Sequence, residues 1–229
     1  MMLSEYEWQA VFLSLKVSSL SVVCSLPLGI LMAWILVRCR FPGKSLLDSI
    51  IHLPLVLPPV VIGYLLLVVM GRRGVVGEWL YAWFGFSFSF SWHGAVLASA
   101  VVAFPLMVRA IRQSLEAVDP KLELAARTLG ASPWRVFFTI TLPLSVPGVI
   151  VGVVLAFARS LGEFGATITF VSNIPGETRT IPLAMYTLIE TPGAEGAAAR
   201  LCVLAILLSL AALLISDWLA KRSRTRLGG

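Results

Sequence analysis

Few residues of this 229-residue chain have the types and spacing that chemistry needs. Gly43-Lys44-Ser45 matches the end of the phosphate-binding pattern G-x-x-x-x-G-K-[ST], but the first glycine of that pattern would fall at position 38, which is Arg38. Cys24, Cys39 and Cys202 are odd in number and far apart, and they form no cluster with His52 or His93. Neither a disulfide framework nor a zinc site follows, and buried free thiols are expected. No H-E-x-x-H or G-x-S-x-G is present, and no carboxylate pair sits in a soluble segment. Two small polar groups remain. Arg159 and Glu163 are four apart, on one helical face, and are expected to neutralise each other. His52 lies one turn after Asp48, where a local hydrogen bond is expected. No catalytic residue, metal or cofactor emerges, so any energy-consuming work would draw its energy from another chain.

The elements that carry these residues belong to a membrane. Hydrophobic residues make up 58% of the chain and charged residues 13%, with a mean hydropathy of +0.91. Soluble domains run near ~25% charged. Charge-free runs cover 17–37, 49–71, 79–108, 136–158 and 201–216, and a spanning helix needs about 20 apolar residues. The expected spans are 15–38, 46–71, 92–112, 143–165 and 198–220, within one domain at 10–220. The aromatic stretch Trp79–Ser91 is expected to be an interfacial loop. Phe164–Gly176, too short to span, either continues the fourth helix or re-enters, which leaves room for a sixth element. The fold class is an all-α membrane protein of five helices, six if that segment counts.

Charge placement orients the chain. Twelve of the eighteen Lys and Arg residues fall in 38–45, 109–142 and the tail from Lys221. The positive-inside rule therefore puts those segments in the cytoplasm and, with five spans, the N-terminus outside. The net charge of +6 is then no footprint for nucleic acid. The N-terminus carries Glu5 and Glu7 with no basic residue before Lys16, unlike a cleaved secretory leader, so the segment is expected to be retained. Helix breakers recur at Pro27, Pro54, Pro58, Pro59, Pro105, Pro143 and Pro147. Gly148, Gly152 and Ala156 make a smooth face for close helix packing, within the chain or between copies.

The cytoplasmic stretch 113–142 is the most informative. Asp119-Pro120 offers a cap with proline at the first helical position, and Gly130 stops the helix KLELAART. Ser132-Pro133 starts a second helix, WRVFFTITLP, which Pro143 is expected to close. The product is a two-helix docking hairpin.

This loop resembles the signature of ABC-importer permeases, E-A-A-x-x-x-G-x(9)-I-x-L-P. Ala125, Ala126, Gly130, Ile140, Leu142 and Pro143 fall at matching positions; the Glu position is Leu124, with Glu123 one residue earlier. FPGKSLLDSIIHLPLVLPPVVIGYLLL and ARSLGEFGATITFVSNIPGETRTIPLAMY are similar to the molybdate permeases within that family, and the Gly162–Gly165 motif also occurs in sulfate and tungstate permeases.

The resemblance implies a type I ABC-importer permease fold in the bacterial inner membrane, N-terminus periplasmic and C-terminus cytoplasmic. It implies a homodimer of the permease, two cytoplasmic ATP-binding subunits docked on a coupling helix near 121–131, and a periplasmic oxyanion-binding protein. Molybdate is the implied cargo, with tungstate or sulfate/thiosulfate as the alternative. ATP hydrolysis falls to the partner, membrane lipid surrounds the chain, and no nucleic acid is involved. The 173–199 loop would face the binding protein, with Arg179 as a solvated surface residue.

Overall fold

The computed structural model describes residues 4–227, with side chains placed as far as Arg222. Met1–Leu3, part of the segment expected to be retained, and the tail side chains Arg224 and Arg226 lie outside that range. Helix dominates throughout.

Among the described residues, four helices are long and apolar enough to cross a bilayer: α1 (Glu5–Arg38), α5 (Trp92–Glu116), the run Pro133–Leu161, and α11 (Glu195–Leu227). A fifth crossing forms only if α2 (Lys44–Val56) and α3 (Pro59–Met70) count as one span. These two meet at 115°, so the span expected over 46–71, with its breakers Pro54, Pro58 and Pro59, takes the form of a broken pair. Pro58 and Pro59 lack N–H groups, and the residue before a proline is pushed out of the helical region. Leu57 accordingly has ψ 141.

α1 begins ten residues before its expected start. Ser4 and Glu7 form a capping box, and Arg200 Nε lies 2.9 Å from Glu7 Oε1, so the polar first turns are held beyond the apolar part of the span. α4 (Val75–Phe84) replaces the first part of the loop expected at Trp79–Ser91, and 85–91 stays a loop; Gly85, at φ +61, ends the helix. Pro143 does not end a helix either. α7 (Pro133–Val136) passes through a π-helical turn, Phe137–Thr141, into α8 (Leu142–Leu161), where Pro143 takes the second position. The wider turn re-registers the backbone hydrogen bonds, and a proline in a first helical turn leaves no bond unmade.

α8 stops at Leu161, short of the expected 165. The apolar stretch that follows forms α9 (Gly165–Val171), packed against α3 and α5 rather than prolonging α8. α10 (Ile181–Glu190) then leads to α11.

The core lies along α1, α5 and α8. The α5–α8 seam is the one carried by the small residues. A Cβ on Gly148 would come 2.1 Å from the Ser114 Cβ, and one on Gly152 would come 3.1 Å from the Met107 carbonyl oxygen. The small-residue face is therefore used within the chain. Met107, Ile111 and Leu115 are fully buried there. Of the cysteines, Cys24 is exposed on the outside of α1 and the other two are half-buried, correcting the expectation of buried thiols.

Candidate functional site

α6 (Pro120–Thr128) lies at one end of the bundle, and its making is local. The Asp119 carboxylate accepts the Lys121 N–H at 2.9 Å, and Pro120 needs no partner at the first position. Gly130, at φ +84, closes the helix: its N–H donates to the Arg127 carbonyl at 3.0 Å, and the Ala131 N–H reaches Ala126 at 3.1 Å. This is the paired closure that a left-handed residue permits. Ser132 caps α7 by accepting the Arg135 N–H.

No residue of α6 is buried. Leu124 and Leu129 are 60% and 88% exposed, Ala125 is exposed and Ala126 half-buried. Trp134 and Phe138 continue the apolar surface onto the second helix. A nine-residue helix that buries nothing of its own does not persist on propensity alone.

Glu123 supplies the anchor. Its Oε1 accepts from Arg38 Nη2 at 2.8 Å, Arg38 Nε at 3.1 Å and the Thr141 hydroxyl at 2.8 Å. Arg38 ends α1, and Thr141, buried, closes the π-helical turn. Three elements distant in sequence thus converge on one oxygen. Trp34 adds an apolar clamp, stacked on Trp134 at 6.5 Å and edge-on to Phe137 at 6.0 Å. Ile140, Leu142 and Pro143 are half-buried and form the entry into α8 rather than the exposed surface.

The second group lies deeper. Arg159 Nη1 is 2.6 Å from Glu163 Oε2, and Glu163 Oε1 accepts the Ala166 N–H at 2.8 Å. The Glu163 side chain is 1% exposed and that of Arg159 30%. The carboxylate is held by both the guanidinium and the backbone, where the chain breaks between α8 and α9. The other break, between α2 and α3, is adjacent: Gly63 allows α3 so close that a Cβ would sit 2.5 Å from the Ala166 carbonyl oxygen, and Gly165 faces Pro59.

Near the α6 end, a polar cavity of about 400 Å³ lies between α2 and α5. Arg112 joins Asp48 at 2.9 Å and Glu116 at 2.8 Å, and His52 Nδ1 lies 2.8 Å from the Asp48 carbonyl oxygen. Arg179 is no solvated side chain, which corrects that expectation: its Nε donates to Asn173 Oδ1 at 2.8 Å and its Nη1 to the Tyr6 hydroxyl at 2.9 Å. Among the described residues no three His, Cys, Asp or Glu side chains come together to hold a metal.

A serine stripe along α1 was overlooked by motif and charge. Ser14, Ser18, Ser21 and Ser25 recur at helical spacing; Ser14 accepts the Ile181 N–H at 2.7 Å and Ser21 pairs with Ser160 at 3.0 Å. The period was in the sequence, since hydroxyls in a membrane span turn inward to find partners.

Long apolar helices, two broken elements that meet inside the bundle and an unburied helical hairpin at one end define a polytopic membrane protein. Comparison with known proteins places it: residues 25–225 match the binding-protein-dependent transport system inner membrane components, and the chain belongs to that family. It is 75% identical over the whole length of both chains to the molybdenum transport system permease protein ModB of Escherichia coli K12. It is 70% identical, over 97% of each chain, to the protein of that name from Haemophilus influenzae. The fold is that of a chain of a bacterial alginate ABC transporter solved in complex with alginate pentasaccharide-bound periplasmic protein: TM-score 0.75, 21% identity, covering 96% of this chain and 80% of that one.

Proposed function

We propose that this chain is the membrane-spanning permease subunit of an ATP-driven importer, and that its cargo is molybdate. The α6 hairpin carries the reading: a helix with nothing of its own buried, apolar outward at Leu124 and Leu129, and tied through Glu123 to α1 and to the root of α8. Such a helix transmits force. A cytoplasmic ATP-binding subunit seated on it would move Arg38 and Thr141 with it, and so tilt α1 and α8 as a unit. Ala125 and Ala126 let the partner approach closely, and Gly130 turns the chain back to the membrane.

Two copies of the chain, each carrying one ATP-binding subunit, would form the pathway, loaded by a periplasmic binding protein. The α6 end is then cytoplasmic and the Glu7 end periplasmic, as the distribution of Lys and Arg supports. Deeper in, the neutralised Glu163 presents no bare carboxylate to a passing dianion. The molybdate assignment draws on the relatives' names at 75% and 70% identity.

Proteoliposomes holding the chain, its ATP-binding subunit and its binding protein test the cargo. Labelled molybdate accumulates, and unlabelled tungstate and sulfate are added as competitors. Uptake of labelled sulfate in place of molybdate would refute the cargo assignment.

A further inference from the structure

At the end of the bundle opposite α6, the chain leaves α3 through Gly71-Arg72-Arg73-Gly74 and enters α4. A cavity of about 770 Å³ opens there, between the end of α3 and the 85–91 loop. Its apolar wall is made by Leu67, Val68 and Phe90, and its polar lining by both arginines and the hydroxyls of Ser87 and Ser89, which share a hydrogen bond at 3.0 Å. Arg72 is braced: its Nη2 lies 2.5 Å from the Tyr81 phenol oxygen, and its guanidinium carbon is 4.1 Å from the ring centroid. Arg73 is exposed and meets no carboxylate among the described residues. Glu78, the nearest acid in sequence, is not part of the cavity wall.

Beside the cavity, α4 turns outward an aromatic surface. Trp79, Trp83 and Phe84 are 54%, 73% and 69% exposed, with ring centroids about 6 Å apart. α3 ends and α5 begins at this level, and Lys16 sits 3.4 Å over the ring of Trp92. Tryptophan, tyrosine and cationic side chains gathered where spans end mark the headgroup layer.

We propose that this cavity binds the phosphate-bearing headgroup of an anionic phospholipid, with α4 lying in the headgroup layer beside it. Two guanidinium groups, and the one hydroxyl hydrogen that the Ser87–Ser89 pair leaves free, can donate to the oxygens of a phosphodiester. The apolar wall runs on into the exposed side of α3, at Tyr64, Leu65 and Val68, along which an acyl chain can lie. A free inorganic oxyanion would use the same donors and leave that wall unmet.

Native mass spectrometry of the full chain, extracted in mild detergent and titrated with phosphatidylglycerol, tests the site. The wild type retains the lipid, and R72Q/R73Q retains about tenfold less. R73Q, which removes a side chain that braces nothing in the fold, also loses lipid, while R40Q at the opposite end retains it as the wild type does. Excess inorganic phosphate leaves the lipid bound. Equal retention by the wild type and both cavity variants overturns the proposal. So does displacement of lipid by phosphate, which would make this a free-oxyanion site. Unchanged lipid retention in R72Q/R73Q with lost capture of the binding protein would make it a protein-docking surface, and overturns it likewise.

Discussion

Arg38 and Glu123, 85 residues apart in sequence, share a hydrogen bond of 2.8 Å that joins the last residue of the first spanning helix to the exposed helix α6. Their side chains are 19% and 12% exposed, so the pair is better shielded than a surface ion pair. Through it, a helix without a buried residue of its own gains a fixed place on the bundle.

Glu123→Ala removes the acceptor for Arg38 and Thr141 together. A loss of about 1–3 kcal/mol is expected, since the buried Thr141 hydroxyl and Arg38 Nε lose their acceptor and Arg38 keeps only its longer contacts to the Leu115 and Val118 carbonyls. Thermal unfolding in detergent measures it. The cycle Arg38→Met, Glu123→Leu and the double variant should return a coupling energy above ~0.5 kcal/mol; additive losses would mean that the pair contributes nothing as a pair.

Gly130→Val places a β-branched residue at φ +84. Left-handed backbone costs such a residue at least ~1–2 kcal/mol, enough to open the end of a helix held at few points. Membrane insertion stays normal while co-purification of the ATP-binding subunit drops; an unchanged yield of complex would count against the hairpin as its seat.

The α5–α8 seam gives a different kind of loss. Gly148→Leu drives a side chain into Ser114 and the Ala110 carbonyl oxygen, which lie 2.1 and 2.9 Å from the would-be Cβ. Overpacking of this kind typically costs about 1–3 kcal/mol and more where backbone is struck, so the variant should accumulate poorly in membranes. Gly162→Ala, whose Cβ would meet only the Ala158 carbonyl oxygen at 3.9 Å, should accumulate as the wild type does.

Glu163→Gln leaves Arg159 without its counter-charge inside the bundle. Lower thermal stability and slower uptake are expected, with Arg159→Gln/Glu163→Gln recovering part of the stability because neither charge is then left alone. A single variant as stable and active as the wild type would show that the 2.6 Å contact carries no weight.

Local signals were legible in the sequence. Asp119-Pro120, Gly130 and Ser132-Pro133 act within a few residues of themselves, so the hairpin could be drawn before any fold was known. Pro58-Pro59 announced a break but not its 115° angle, which depends on Gly63 and Gly165 letting α3 and α9 touch. Pro143 looked like a terminator because the π-helical turn that admits it has no sequence signature as plain as a cap. Arg38 and Thr141 could not be matched to Glu123, nor Tyr6 to Arg179, since each pairing is made by segments that meet only in the folded bundle.

ATP-dependent molybdate uptake in proteoliposomes, with the wild-type chain set beside Leu124→Asp/Leu129→Asp, tests most directly whether α6 couples an ATP-binding partner to transport. The wild type should accumulate molybdate only when ATP and the loaded binding protein are both supplied. The double variant, altered only where the helix is exposed, should fold and insert but neither bind the ATP-binding subunit nor accumulate the ion. No ATP-dependent uptake by the wild type, or uptake by the double variant equal to it, would contradict the account.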